Sequence, residues 1–249
     1  MKAIGIIGYH HTGKTSVAEV LIRALSTKGF QVATIKDIHN EVYRADRSGS
    51  NSWRHARAGA SQVFAHGLHD AALVLTPTPD LNQMISLLRA DFLIIEGLKS
   101  AAVPKILCAN NRDQLDKLID DTVFAISGAV AEELSGYLQL PAFSLERQPE
   151  ELLARVEEIA FDILPQADPE CCNACGKSCY QLVGDIVQGR AERSDCVMDS
   201  SPGISLIAGG QPVSIVPFVQ NILRDSILAI VNNLKDISPD ADLRIELKR

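Results

Sequence analysis

Residues 4–16 read Ile4-Gly5-Ile6-Ile7-Gly8-Tyr9-His10-His11-Thr12-Gly13-Lys14-Thr15-Ser16. An apolar run feeds into Gly8, four variable residues follow, and Gly13-Lys14-Thr15 completes the phosphate-binding loop pattern. In such a loop the glycines let backbone N–H groups turn inward around a β-phosphate. The lysine reaches the β and γ oxygens as a point charge, and the hydroxyl after it ligates Mg²⁺. The helix that starts at Lys14 aims the positive end of its dipole at the same anion. The flanks agree, with an apolar strand before the loop and Val17, Val20, Leu21 and Leu25 at helical spacing after it. Gly8, His10, His11, Thr12, Gly13, Lys14, Thr15 and Ser16 are therefore the candidate nucleotide contacts, with Thr15 a candidate Mg²⁺ ligand. A tight strand-to-helix turn without a ligand would need neither the lysine nor the threonine. His10 and His11 lie between the loop glycines and are candidates to brush phosphate or to stand exposed.

The surrounding composition narrows the partner. The chain has 249 residues, long enough for one large domain or a medium one plus a small one. A formal charge of −7, with no basic patch, argues against nucleic acid and against an anionic membrane surface. The expected anionic partner is a small phosphate ligand. Met1-Lys2 leads straight into a strand, and no apolar run reaches membrane-spanning length, so a cytoplasmic protein is expected. Of six cysteines, Cys108 stands alone in an apolar strand, which suits a buried small hydrophobe. Cys171, Cys172, Cys175, Cys179 and Cys196 crowd one short region, which in a reducing compartment suggests metal before disulfides.

The rest of residues 1–165 alternates between strand and helix patterns and predicts an α/β fold, a phosphate-loop NTPase-type sheet that is mostly parallel and covered on both faces. Residues 31–36 form the second strand and deliver Lys36 and His39 to the carboxyl end of the sheet, where ligands bind. Residues 41–52 make a long polar loop carrying Asp46, and residues 52–60 a short helix ended by Gly59. Apolar runs at 62–65 and 71–75 precede a helix over 80–89 and the strand 92–97. That strand ends in Glu96-Gly97, and an acid there is the usual partner of a phosphate loop, placed near Mg²⁺ or its water. Strands at 105–108 and 122–126 and an amphipathic helix over 149–163 complete the domain.

These residues together resemble the molybdopterin-guanine dinucleotide biosynthesis protein B (MobB) family. The resemblance rests on the loop at Gly8–Thr15, Ile35-Lys36-Asp37-Ile38-His39, Asp46 with Gly49, Ser52, Arg54 and Ala58-Gly59-Ala60, then Ile94-Ile95-Glu96-Gly97-Leu98-Lys99 and Pro104-Lys105-Ile106. It covers about residues 1–163. The resemblance implies a GTP-binding, weakly hydrolysing, dimeric accessory protein that assists attachment of GMP to molybdopterin. It also departs from the family at two places. The family's Lys-His-x-His-His stretch is Lys36-Asp37-Ile38-His39-Asn40 here, and its Gly-Lys-Asp-Ser is Gly49-Ser50-Asn51-Ser52. The Asn-Lys-x-Asp guanine reader of many GTPases is absent. Asn110-Asn111-Arg112-Asp113 is a loose echo of it that puts Asp113 forward, with a polar turn as the alternative, and Ser127-Gly128 is a second place where a base could border the site.

The Pro-containing stretch 164–169 acts as a linker to a second domain over 166–249. In it, Cys172-x2-Cys175-x3-Cys179 with a remote Cys196 supplies four thiolates within residues 171–199. The order suits an iron–sulfur cluster of the [4Fe–4S] type better than zinc, because zinc ribbons bring two Cys-x-x-Cys pairs and only one is present. It resembles the small four-cysteine cluster domain of bacterial electron-transport and corrinoid iron–sulfur proteins. Residues 202–249 read as a hairpin around Gly209-Gly210, an amphipathic helix over 217–234 and a strand at 243–247.

The function expected is that of a GTP-binding accessory factor in molybdenum or tungsten cofactor biosynthesis, a slow GTPase at most. Lys14, Thr15, Asp46 and Glu96 would be at its reacting end, and Lys36, His39, Gly97 and Asp113 around the nucleotide. Expected partners are GTP, Mg²⁺, molybdopterin guanylyltransferase and the enzymes that receive the cofactor, with the protein a homodimer. A nucleotide-gated redox or electron-transfer module, and a zinc-stabilised docking protein, are the alternatives.

Overall fold

The computed structural model describes residues 1–166, 172, 175–198, 204, 206–208, 211–213 and 217–234. It divides into two compact units: residues 1–166 with 179–193, and residues 167–178 with 194–249.

The first unit begins with β1 (Lys2–Gly8) and α1 (Lys14–Thr27), then β2 (Val32–Lys36), α2 (Asn51–Arg57), β3 (Gln62–His66), β4 (Ala71–Leu75) and α3 (Leu81–Leu87). It continues with β5 (Phe92–Glu96), β6 (Lys105–Cys108), α4 (Arg112–Leu118), β7 (Val123–Ser127), the short pair β8 (Gly136–Tyr137) and β9 (Leu140–Pro141), α5 (Pro149–Ile159), β10 (Phe161–Asp162) and α6 (Cys179–Val187). The central sheet has the order β2-β5-β1-β6-β7, parallel throughout, with β10 antiparallel on the amino-terminal half of β1.

Strands β5, β6 and β7 are buried at every position, as expected where helices cover both faces of a parallel sheet. Alternate residues build the two layers. Ile4, Ile6, Ile94 and Ile106 pack under Val17, Leu21 and Leu25 of α1 and Leu152 and Val156 of α5. On the other face Ile7, Leu107 and Ile126 pack with Leu115 of α4, and Leu93 and Ile95 pack with Leu81 and Ile85 of α3. The strand-helix alternation thus yields the α/β architecture the sequence predicts.

Two local readings are corrected or completed. The helix expected to run to residue 163 ends at Ile159, where Ala160 turns extended (ψ 124), and Phe161–Asp162 becomes β10. The apolar runs of β3 and β4 pair with each other as an antiparallel hairpin outside the main sheet. A third difference concerns α6, which the sequence reading assigned to the second domain and which belongs to the first unit.

In the second unit β11 (Leu206–Ala208) pairs antiparallel with β12 (Gln211–Val213), and α7 spans Pro217–Val231. The expected strand at 243–247 lies outside the described residues. Among the described residues no helix is long and apolar enough to cross a membrane.

Candidate nucleotide site

The carboxyl ends of β1, β2 and β5 converge on one edge because their registers align Ile6 with Glu96 and Glu96 with Lys36. Beyond β1 the backbone needs positive φ at Gly8 (+150) and Gly13 (+87). A Cβ on Gly8 would sit 2.2 Å from the Cys108 carbonyl oxygen and 2.7 Å from Thr12 Oγ1, so only glycine lets the loop pass this close to β6. Gly128, at the end of β7, backs the loop in the same way, for its Cβ would fall 2.2 Å from the Thr12 carbonyl oxygen. Thr12 itself is fully buried and its hydroxyl donates to the Tyr9 carbonyl at 3.0 Å. It therefore braces the loop from within.

Gly13 is the N-cap of α1 and offers no side-chain cap, so the helix start keeps its donors for an anion. Lys14 Nζ donates to the Tyr9 carbonyl, folded over the loop it belongs to. Thr15 Oγ1 donates to Glu96 Oε1 at 2.8 Å, and Lys36 Nζ lies 3.2 Å from both oxygens. Glu96 is 9% exposed. A hydroxyl and a carboxylate oxygen side by side are the hard donors Mg²⁺ takes, and a cation already stands against them; the residues fit the ion.

The other predicted residues are placed as follows. Ser16 is exposed in the first turn of α1, and His10 and His11 are exposed with ring centroids 6.4 Å apart. Gly97 has φ +96 and approaches Asp37, whose carbonyl oxygen would lie 3.2 Å from an added Cβ. His39 Nε2 lies 2.7 Å from Asp37 Oδ2, at a geometry that makes no hydrogen bond. Asp46 Oδ1 accepts from the Arg47 N–H (2.7 Å) and the Ser50 hydroxyl (3.0 Å), so the carboxylate orders its own loop. The Ser52 hydroxyl first, then Ser50 and the Arg47 N–H, hold its carboxyl below the usual range against the opposing effect of burial. Asn111 accepts from Gln114 N–H as the cap of α4, and Asp113 is exposed in that first turn. Ser127 is buried and spends its hydroxyl on the Phe143 carbonyl.

Two contacts of the loop were not specified by the sequence. Lys99 Nζ sits 4.9 Å from the Tyr9 ring centroid, beside the loop. The approach of Gly128 to the loop depends on strand order, and a glycine after a predicted strand was its one signal. A cavity of about 490 Å³ between α2 and the β3–β4 hairpin shares Ser52 with the Asp46 loop and is lined also by His55, His66 and Asp70.

The four cysteines of the expected cluster are Cys172, Cys175, Cys179 and Cys196. Among the described residues no three His, Cys, Asp or Glu side chains gather as a metal site. Cys172 and Cys196 are buried, Cys175 Sγ lies 3.4 Å from the Lys177 carbonyl, and Cys179 opens α6. Cys171 lies outside the described residues.

A family profile described as Molybdopterin guanine dinucleotide synthesis protein B matches residues 3–129. A Methanocaldococcus jannaschii protein, named as a candidate molybdopterin-guanine dinucleotide biosynthesis adapter, is 28% identical over 254 aligned positions, spanning 99% of this chain and 97% of that one. The Haemophilus influenzae molybdopterin-guanine dinucleotide biosynthesis adapter protein is 35% identical over 132 residues, which cover 50% of this chain and 72% of that one. The crystal structure of Bacillus subtilis MobB matches with a TM-score of 0.54 at 24% identity, over 62% of this chain and 98% of that one, a likeness of fold.

Proposed function

Because the chain belongs to the molybdopterin guanine dinucleotide synthesis protein B family, we propose that it is an adapter that binds GTP with Mg²⁺ and serves formation of molybdopterin guanine dinucleotide. The carrying observation is the Thr15–Glu96 pair, 2.8 Å apart at the foot of an uncapped helix start and a glycine-bracketed loop. Lys14 leaves the Tyr9 carbonyl to meet the β and γ oxygens, and the amides of the loop and of the first turn of α1 hold the phosphates. Thr15 and Glu96 hold Mg²⁺, which when bound offsets charge on the phosphates. Asp46 and His39 stand on the segment after β2 and serve the terminal-phosphate end of the site. Asp113 reads the base. The sequence carries no recognisable arginine-finger motif, and slow unassisted hydrolysis is the expected behaviour. The protein acts in the cytoplasm as a homodimer, beside the molybdopterin guanylyltransferase and the enzymes that receive the cofactor.

Calorimetric titration with GTP and ATP tests this reading. Wild type should bind GTP in preference, and Lys14→Ala should lose binding by at least about a hundredfold, as removal of a charged phosphate ligand requires. Undiminished GTP affinity in Lys14→Ala would sink the assignment.

The cysteine order supports a second site. We propose that Cys172, Cys175, Cys179 and Cys196 hold a [4Fe–4S] cluster, a reading carried by their spacing. Iron and sulfide on an anaerobic preparation are the expected result. Stoichiometric zinc without sulfide would select the docking alternative, and reduction-dependent GTP affinity the redox one.

A further inference from the structure

The cation between Thr15 and Glu96 is part of the chain. Lys36 ends the edge strand β2 and pairs in register with Glu96, the last residue of β5. The Asp37 N–H donates to the Glu96 carbonyl at 2.8 Å, which pins the Lys36 backbone beside the acid. From there the side chain carries Nζ to 3.2 Å from Glu96 Oε1 and 3.2 Å from Thr15 Oγ1. The lysine side chain is 52% exposed and that of the glutamate 12%. One partner is thus fixed and nearly buried, and the other is free to swing toward solvent.

A nearly buried carboxylate without a cation beside it is costly. The ammonium supplies that cation while no metal is present. A divalent ion taking the same two oxygens would stand about 3 Å from Nζ, where two positive charges repel strongly. Metal and lysine therefore exclude each other unless the ammonium has another anion to go to. A triphosphate on the adjacent loop is that anion, and a four-carbon stem with a strongly hydrated point charge at its end can make the move.

We infer that Lys36 is a tethered placeholder for Mg²⁺: it occupies the metal position in the nucleotide-free protein and gives it up when a nucleoside triphosphate provides a second partner for its ammonium. The inference rests on the reading of Thr15 and Glu96 as the metal's partners. It couples metal loading to nucleotide, so a divalent ion alone fills the site more weakly than it does beside a bound triphosphate.

The test uses the full-length protein without nucleotide, with Mn²⁺ as a paramagnetic stand-in followed by electron paramagnetic resonance. Lys36→Met keeps the stem and removes the charge, and it should bind Mn²⁺ about tenfold more tightly than wild type, the scale of one partly exposed ion pair lost from competition. Lys36→Arg should retain the wild-type affinity, and Lys36→Met combined with Glu96→Gln should return to it. Equal Mn²⁺ affinity in wild type and Lys36→Met would overturn the placeholder role. Failure of the nucleotide reading shows separately, as wild type that takes up no GTP in Mg²⁺, because the Mn²⁺ measurement contains no nucleotide.

Discussion

Gly8 and Gly13 bracket one loop, yet their surroundings make unequal demands. A methyl group at Gly8 meets the backbone of β6 at 2.2 Å, and backbone cannot step aside, whereas at Gly13 the nearest atom, Gly128 Cα, is 3.4 Å away. Gly8→Ala should therefore cost about 3 kcal/mol or more, and Gly13→Ala only the left-handed backbone strain of about 1–2 kcal/mol. Urea unfolding of the two variants checks the order, and equal losses would contradict it. A second residue-scale prediction concerns Lys105, fully buried at the start of β6, with Nζ 2.7 Å from Tyr180 Oη, which in turn donates to Asp120 Oδ2 at 2.6 Å. Burial lowers the Lys105 pKa to about 8 from 10.5, with Asp120 opposing, and burial together with the Asp120 hydrogen bond raises that of Tyr180 to about 12. The folded lysine sheds its proton near pH 8 while the unfolded one keeps it to 10.5, so its contribution to stability is lost as pH falls through 8 and regained as pH rises. The tyrosine works the other way, its contribution present below 10 and lost as pH rises through about 12. Wild type should gain stability relative to Lys105→Met between pH 8 and 10 in urea titrations; a pH-independent difference would show that the two groups titrate normally. The phosphate-loop residues could be read from spacing alone because they are contiguous. The neighbours of Lys105 and Lys36 could not, since each depends on which strands lie side by side.

At the scale of elements, the strands and helices with strong periodicity were legible and the junctions were not. Strand β6 has the bounds expected from its apolar run, and Asp80 and Gln83 form a reciprocal capping box that starts α3 where a cap residue stood in the sequence. The end of α5 was missed because Phe161 and Ile163 continue its amphipathic pattern. What converts them to strand is a distant edge, with Lys2 opposite Asp162 and the Met1 amino group 2.8 Å from the Asp162 carboxylate. The β3–β4 hairpin was visible as two apolar runs, but nothing in them said they would pair with each other and leave Phe64 and Leu68 exposed. Helix α2 makes the energetic point. It buries no residue and is held at its start by the Ser50 hydroxyl, which accepts from Trp53 N–H at 3.1 Å while donating to Asp46. Ser50→Ala removes a cap of about 1 kcal/mol from an element that contributes little to the core. Amide exchange should accelerate across residues 51–58 while the global melting temperature stays within about a degree or two. Loss of global stability would mean that α2 is part of the cooperative unit.

The whole molecule divides at a place the linker composition did not reveal. Leu164-Pro165 and the following residues look like a boundary, but the chain returns to the first unit at Cys179 and stays to Arg193. Several independent ties hold this return. Tyr180 covers Lys105 with its ring centroid 3.9 Å from Nζ, Gln188 donates to the Asp121 carbonyl at 3.1 Å, and Arg193 donates to the Ile163 carbonyl at 3.1 Å. Gly184 passes so close to Asp121 that a Cβ there would meet its side chain at 2.9 Å, and Val187 packs on the main core beneath α1 and α5. Removing the segment strips Lys105 of its hydroxyl partner and opens an edge of that core. A chain cut after Gln166 should therefore unfold at lower denaturant than one cut after Arg193, by roughly 2–4 kcal/mol, the scale of one or two apolar side chains exposed together with a lost buried hydrogen bond. Both pieces retain the phosphate loop, Lys36 and Glu96, so the comparison separates stability from ligand binding. Coincident unfolding curves would show that α6 is carried by the first unit without supporting it, and a fragment 1–193 that fails to fold while the full chain folds would place the support further along the chain.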